Sequence, residues 1–274
     1  MLFKFKKLCF CVLASVLFAL VLPFITVVSA KVRGDCIFSV GPACRPAQWL
    51  RKTHKRFQAA PFDWMMKYSL DTVLHCSKNK YADFFENIRS TGQNIGEHRV
   101  VVDTKNNIVS MHHFYKNASA EEGKWGFREK MLRRGKRVDE ILKNSRSIVL
   151  ISNRQKDSLD DFKRFIHGFS RLYPDRNITL INIRSNGNNW VSKDVIYENA
   201  AAISKKKSAK TKSKEQSKNQ TANKRKKLKI IQYSFNDSSS SWEGNPSGWN
   251  QVMNDIELTD RNFDKNMDFK QVEF

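Results

Sequence analysis

Cys44 is the residue of this chain whose surroundings point most directly to chemistry. It follows a short apolar strand predicted over residues 37–40 and a tight turn that contains Gly41 and Pro42, and it stands at the start of a predicted helix. Unpaired backbone N–H groups and the helix dipole at such a position favour a thiolate, and Arg45 adds positive charge. The same N–H groups could stabilise an oxyanion during acyl transfer. Cys44 is therefore a candidate nucleophile, and the alternative is a small buried cysteine with a packing role.

A nucleophilic cysteine needs a base, and two adjacent histidines, His112 and His113, are the best candidates. They fall in the second strand of a predicted hairpin, which spans Ile108–Tyr115. Because side chains alternate between the two faces of a strand, only one of the pair is expected to face Cys44. One predicted face carries Ile108, Ser110, His112 and Phe114. The alternative interpretation is a surface pair of histidines on the edge of a sheet.

The remaining cysteines and histidines offer less chemistry. Beyond the N-terminal segment the chain has Cys36, Cys44 and Cys76, an odd number, and the sequence does not decide how they pair. A Cys36–Cys76 disulfide would leave Cys44 free, whereas either disulfide of Cys44 would silence it. His75 beside Cys76 is a conceivable pair of metal ligands, but no pair in the chain has a zinc-finger-like spacing. We therefore expect no metal and no cofactor.

These candidates must be positioned by a body that mixes helices and strands. Apolar strands over Ser147–Ser152 and residues 178–183 flank a helix over Leu159–Leu172, which predicts a C-terminal β-α-β unit with parallel, buried strands. The hairpin pairs His98–Asp103 with the histidine strand. Helical spacing predicts further helices over residues 45–55, 64–75, 81–88 and 126–143. The predicted fold class is mixed α+β, a single body of α/β type preceded by an N-terminal hydrophobic helix.

The start of the chain has the layout of an export signal. Lys4, Lys6 and Lys7 precede an apolar run over residues 8–28, and residues 28–30 (Val-Ser-Ala) resemble a small-residue cleavage site. Residues 1–30 are therefore predicted to be a signal peptide, or an uncleaved anchor that spans a membrane through residues 8–30. A buried core helix is the remaining alternative. Either main interpretation places the body outside the cytoplasm, whether periplasmic, secreted or anchored.

Charge divides the rest of the chain into segments. Lys and Arg number 49 against 27 Asp and Glu, and residues 204–229 hold twelve of the bases with one acid. This segment is predicted to be a basic disordered linker, because it lacks apolar groups that would offset the entropy of ordering. It suits an anionic envelope surface, although a solvated spacer is the alternative, and nucleic acid is not an expected partner. A domain over residues 31–203 precedes it, and a Trp-containing tail over residues 230–274 is expected to pack on that body. The composition excludes collagen-like, wholly disordered and disulfide-dense classes.

Two blocks of sequence carry a resemblance to a known family. Residues 39–44 form a Ser-x-Gly-x-x-Cys turn after a strand, and residues 61–64 read Pro-Phe-Asp-Trp. Further along, Asp103 accompanies a hairpin and residues 112–114 form a His-x-Phe strand. The chain resembles, over roughly residues 36–183, a bacterial and viral family described as papain-like cysteine peptidases. The resemblance implies a papain-like body and a hydrolase that acts on peptide or other acyl substrates.

The resemblance also implies roles for individual residues. Cys44 corresponds to the nucleophile and His112 to the base, with His113 as the alternative base. The family pattern has Asp where this chain has His113, so any orienting role of that Asp is lost or moved here. Three residues remain as candidates to orient the base: Asp63, Asp103 and Asn182. Their structural alternatives are a helix cap, a turn acid and a strand-end hydrogen bond, respectively.

Two functions of different classes follow. The first is an exported or membrane-anchored cysteine hydrolase in which Cys44 attacks a carbonyl and His112 transfers the proton. The second is a non-catalytic cell-envelope protein that binds surface glycans through its Trp-containing tail. A free Cys44 within reach of His112 favours the hydrolase, whereas a disulfide-bonded Cys44 far from every histidine favours the binding protein.

Overall fold

A computed structural model of the protein describes residues 30–199, 227–238 and 241–259. Within these ranges it has five helices and eleven strands, which confirms the predicted mixed α+β class. The predicted N-terminal hydrophobic helix, whether export signal or anchor, lies outside the described residues, of which Ala30 is the first. None of the helices in the described ranges is both long and apolar enough to cross a membrane.

The strands and helices are numbered in chain order. The strands are β1 (Val32–Gly34), β2 (Cys36–Ser39), β3 (Met65–Met66), β4 (Ile88–Ile95), β5 (His98–Asp103), β6 (Ile108–Tyr115), β7 (Ser147–Ser152), β8 (Asn177–Ser185), β9 (Ser192–Asn199), β10 (Lys227–Phe235) and β11 (Ile256–Leu258). The helices are α1 (Cys44–Lys52), α2 (Leu70–Lys78), α3 (Ala120–Asn144), α4 (Leu159–Leu172) and α5 (Pro246–Asn254).

The main sheet has five strands in the order β2-β7-β8-β10-β9. The first four are parallel and the edge strand β9 is antiparallel to β10. The predicted β-α-β unit is confirmed as β7, α4 and β8, with Ile148 directly opposite Ile178. Both faces are covered by helices, because Ile37 packs with α1 and α5 whereas Phe38 packs with α2, α3 and α4. This burial on both sides explains why β2, β7 and β8 read as continuous apolar runs.

The second sheet is antiparallel and brings the histidines to the body. Its order is β3-β6-β5-β4, and the predicted hairpin is confirmed as β5 and β6. The pairing shifts register, since Val101 lies opposite Ser110 but Arg99 lies opposite Phe114. Between these two pairs β6 advances by four residues while β5 advances by two. The extra residues form a bulge at residues 111–113, across which the side chains of β6 do not alternate regularly between the two faces of the sheet.

Two predicted helices are wrong. Residues 64–75 include the short strand β3, and the helix begins only at Leu70, where the Ser69 hydroxyl accepts a hydrogen bond from Thr72 N. Residues 81–88 form turns that lead into β4. Left-handed backbone angles at Trp64, Lys67, Lys80, Tyr81 and Phe85 interrupt both stretches. The apolar spacing there reflects aromatic side chains packed from turns into the core rather than a helix face.

The C-terminal part of the body also differs from the prediction. Lys227–Lys229, predicted as the end of the basic linker, begin β10, which pairs with β8 on one side and β9 on the other. Residues 204–226 of that linker lie outside the described residues. Further along, α5 packs against α1, where the Trp49 and Trp249 rings stack 6.0 Å apart, and β11 pairs with β1. The sheet thus includes the start of the predicted tail, because β10 supplies a nearly continuous apolar strand that the sheet buries.

Candidate active site

The carboxyl ends of the parallel strands bring the Cys44 turn to one edge of the main sheet. β2 ends at Ser39, and Val40 N donates a hydrogen bond to Ile151 O of β7. Gly41 then passes so close to Tyr68 that a Cβ at this position would lie 2.5 Å from the Tyr68 hydroxyl oxygen. Any larger residue would displace the turn, which explains the glycine in physical terms.

Cys44 is the first residue of α1, and the start of this helix is open. Ala43, the residue before it, has an extended backbone (φ −148°, ψ 173°) and no side chain caps the first turn. Pro46 has no N–H, so the orphan donors of the first turn include the amides of Cys44 and Arg45. An uncapped helix start beside a thiol leaves these amides available to a developing anion.

His112 of β6 lies against this helix start. Its Nε2 atom is 3.8 Å from the Cys44 Sγ, within reach of a sulfur hydrogen bond. The Trp64 ring stands edge-on to the imidazole at 6.4 Å, and the His98 ring does so at 6.2 Å. Cys44 Sγ also contacts Met66 Sδ at 4.0 Å. The structure therefore brings together the two residues that the sequence paired.

The electrostatics of the pair differ from the expectation of a thiolate. Burial raises the pKa of the Cys44 thiol to about 11. A hydrogen bond from the Cys44 backbone amide lowers this pKa, but its effect is smaller than that of burial. Burial, followed by the charge of His98, lowers the pKa of His112. At neutral pH the pair is thus a neutral thiol beside a neutral imidazole, which is able to accept the thiol proton.

His113 has a different environment. Its Nδ1 is 2.9 Å from the Ser110 hydroxyl oxygen, and its ring packs on Phe127 at 5.1 Å. Burial, then the charge of Arg134, lowers the pKa of His113 to about 3, so this ring stays neutral. The bulge in β6 puts Ser110 on the side of His113, and it leaves Phe114 in the core with only 2% exposed. The predicted shared face is therefore wrong for Ser110, whereas Phe114, though buried, lines the same cavity as Cys44 and His112.

Asp103 serves the hairpin rather than the histidine. Its carboxylate is fully buried and accepts hydrogen bonds from Phe85 N (2.7 Å), Lys105 N, Asn106 N and Asn106 Nδ2. Three of these bonds fix the turn between β5 and β6, and the fourth ties that turn to the backbone of Phe85. Asp103 makes no hydrogen bond with His112, so the turn-acid alternative describes it.

Asp63 is also buried and bonded elsewhere. Its Oδ2 accepts from Arg56 Nη2 at 2.9 Å and from Ala60 N at 3.0 Å. Burial raises the pKa of Asp63, and the charge of Arg56 is the largest of the effects that oppose this rise. Asp63 does not contact His112, and it affects Cys44 only through space by raising the pKa of the thiol.

Asn182 reveals a residue that the sequence analysis missed, Arg154. The Asn182 side chain accepts from Ser152 Oγ and Arg154 N and donates to Arg154 O. The guanidinium of Arg154, in turn, donates to Val40 O (3.1 Å) and Tyr68 O (2.9 Å), and its side chain is only 3% exposed. It ties the Cys44 turn to the segment after Trp64. The sequence indicates this residue only as a charged side chain two positions beyond the apolar strand β7.

Cys44 and His112 open onto a cavity of about 1320 Å³. Aromatic rings line much of it, among them Trp64 and Trp242, and the cations Arg51 and Lys130 lie at its wall. Trp242 belongs to the predicted Trp-containing tail, whose described part thus reaches this cavity. Within the described ranges no group of three His, Cys, Asp or Glu side chains is arranged to hold a metal ion.

The three cysteines of the described body are free. Cys36 and Cys76 are buried in the core, and Cys44 is partly exposed. Burial raises the pKa of the Cys36 thiol to about 12 and that of Cys76 further still. Cys44 therefore differs from the other two by its access to the cavity and by the contact of its sulfur with a histidine ring nitrogen.

Comparisons with known proteins identify a family for this chain but no individual relative. No curated protein and no solved structure matched the chain significantly. A family model described as "Putative papain-like cysteine peptidase (DUF1796)" matches residues 35–239, about three quarters of the chain, and this span contains both Cys44 and His112. The chain therefore belongs to the family that bears this description.

Proposed function

We propose that the protein is a cysteine hydrolase that cleaves peptide substrates through Cys44 and His112. The observation that carries this proposal is the 3.8 Å contact between Cys44 Sγ and His112 Nε2 at an uncapped helix start. The cavity of about 1320 Å³ leaves room for a peptide segment at the thiol. Membership of the family supports the peptide as the substrate class. The free thiol beside a histidine argues against the non-catalytic envelope protein.

The reaction follows from the neutral state of the pair. The Cys44 sulfur attacks the carbonyl carbon while His112 Nε2 takes the thiol proton, and the amides at the start of α1 stabilise the oxyanion. When the tetrahedral intermediate collapses, the C–N bond breaks and His112 returns the proton to the leaving nitrogen. A thioester remains on Cys44. Water then attacks it, His112 takes the water proton, and the proton returns to sulfur as the carboxylic acid leaves.

In this proposal His112 works without a hydrogen-bonded carboxylate. None of the three orienting candidates contacts it, and the rings of Trp64 and His98 stand edge-on to the imidazole instead. Packed rings restrict the rotation of the imidazole as a hydrogen bond would, although they do not stabilise its protonated form. The site is therefore proposed to be a Cys–His dyad.

The proposal is tested by hydrolysis of denatured casein by the full chain. Cys44→Ala and His112→Gln should each abolish the cleavage seen with the parent. His54→Asn is a matched control, because His54 is exposed, lies outside the cavity lining and has a left-handed backbone (φ 52°) that Asn tolerates. Cleavage that survives in Cys44→Ala would contradict the proposal.

We also propose that residues 1–30 export the body, as signal or anchor. The support is the Lys-flanked apolar run and the small residues that end it. In that location we expect the basic residues 204–226, which precede β10, to meet an anionic envelope surface. Both statements rest on the sequence.

A further inference from the structure

Trp242 is a large apolar side chain that projects at the cavity and does not fill the core. It is 55% exposed, yet it lines the same cavity as Cys44. Its ring lies 6.2 Å from that of Trp64, and Trp64 lies 6.4 Å from His112. The rings of Trp242, Trp64 and His112 thus form a row from the cavity wall to the proposed base. Trp242 lies just beyond the family match, which ends at residue 239.

The backbone of Trp242 is held firmly although its side chain is exposed. Arg45, the neighbour of Cys44, donates to Trp242 O at 2.6 Å and pairs with Asp237 at 2.7 Å. The Asp237 side chain is only 1% exposed. The next residue, Glu243, accepts at its backbone oxygen from Trp49 Nε1 at 2.8 Å, and its carboxylate bonds two further side chains of α1, Gln48 and Lys52. The backbone from which the ring projects is therefore held in place before a ligand binds, which reduces the entropic cost of binding.

Trp64 holds the second ring of this wall in an unusual backbone conformation. Its φ of +67° lies in the left-handed region, which a bulky residue adopts only when its surroundings require it. The Arg154 guanidinium, which donates to the carbonyl of Tyr68, helps to hold the segment that follows. Aromatic rings at such angles and distances accept another flat ring in an offset or edge-on arrangement.

We propose that Trp242 and Trp64 form a specificity subsite for an aromatic side chain of the peptide, next to the carbonyl that Cys44 attacks. This inference rests on the proposed function and names its substrate class: peptides with Phe, Tyr or Trp beside the scissile bond. The occupied subsite would remove the exposed Trp242 ring from water and place the carbonyl between Cys44 and the amides of α1.

The test compares two alkylating probes of Cys44 in the full chain, N-phenethyl iodoacetamide and N-butyl iodoacetamide. The aromatic probe should label Cys44 in the parent about 3- to 10-fold faster than the aliphatic one, after division by their rate ratio with glutathione. Trp242→Ala should lower this preference to less than half of the parent value, because only the Trp64 ring of the subsite remains, and Trp242→Phe should retain most of it. Trp125→Ala is the matched control, because Trp125 is 68% exposed but lies outside the cavity lining.

The outcomes separate this inference from the proposed function. An aromatic preference that stays above half of the parent value in Trp242→Ala, or a Trp242→Ala variant in which both probes slow equally, would overturn the subsite. A parent without any aromatic preference would also overturn it, even if casein is cleaved. If casein is cleaved equally by the parent and Cys44→Ala, the proposed function fails, and the subsite loses its reaction.

Discussion

Replacing His112 by Gln should remove the base and preserve the partial burial of Cys44, because Gln is polar and similar in volume to His. Burial holds the pKa of the Cys44 thiol at about 11, so a fraction of only ~10⁻⁴ of an unassisted thiol is thiolate at pH 7. In the parent, the neutral pair and its thiolate–imidazolium form carry the same number of protons. The base-assisted rate of alkylation of the parent should therefore be level above the pKa of His112, until the rising fraction of free thiolate overtakes it.

The two ends of this plateau have defined signs. Burial and His98 hold the pKa of His112 below its ordinary value of 6.5, so the parent should keep its rate below pH 6.5 and lose it only as the pH falls through the lowered pKa. Without the base, the rate of His112→Gln should follow the thiolate and rise about tenfold per pH unit. Since general bases contribute ~10²–10⁴-fold, the rates should differ by ~100-fold or more at pH 7. They should converge as the pH approaches the pKa of Cys44.

The assay follows alkylation of Cys44 by iodoacetamide, with peptide mapping by mass spectrometry, from mildly acidic to strongly alkaline pH. His113→Gln is the matched control, because the pKa of His113, about 3, keeps that ring neutral over the whole range. Its profile should follow the parent. Parallel profiles for the parent and His112→Gln would refute the assignment of His112 as the base and the argument from the two pKa shifts.

Three further predictions concern stability and placement. Asp103→Ala should lower the free energy of unfolding in urea by about 3 kcal/mol, because it leaves the buried donors Phe85 N and Asn106 Nδ2 unpaired; an unchanged midpoint would show that the fold does not depend on this carboxylate. Replacing residues 200–226 by Asn-Gly should change the melting temperature little, because the strand ends on either side pair directly; a large loss would show that the segment stabilises the body. In cells that produce the full chain, fractionation should find the protein outside the cytosol, as the Lys-flanked apolar start predicts; full-length protein soluble in the cytosol would reject the export signal.

The parts of the fold that could be predicted are those governed by local pattern. The apolar runs of β7 and β8 and the amphipathic α4 between them specify a β-α-β unit within a short stretch of chain. The hairpin of β5 and β6 is likewise local, and its bounds match the prediction. By contrast, β10 enters the sheet between β8 and β9 across a basic segment of low hydropathy, and nothing local marks that distant pairing.

The candidate site shows the same division. Cys44 could be located because a strand, a glycine turn and a helix start follow one another directly, and the His112-His113 pair stands out by composition. The choice between the two histidines depends on a bulge, which arises from the pairing of β6 with β5 and has no signature in the spacing. Trp64 and Arg154 were missed as site residues, because a left-handed backbone and a buried guanidinium depend on tertiary contacts.

The central claim is that Cys44 is the nucleophile, and a trapped acyl-enzyme tests it most directly. The full chain is mixed with an N-acylated phenylalanine p-nitrophenyl ester, quenched in acid during turnover and mapped by mass spectrometry. The account predicts one acyl group on the peptide that carries Cys44, and its absence in Cys44→Ala, which should also lose turnover. Turnover without an adduct on Cys44, or an equal adduct and rate in Cys44→Ala, would contradict the account.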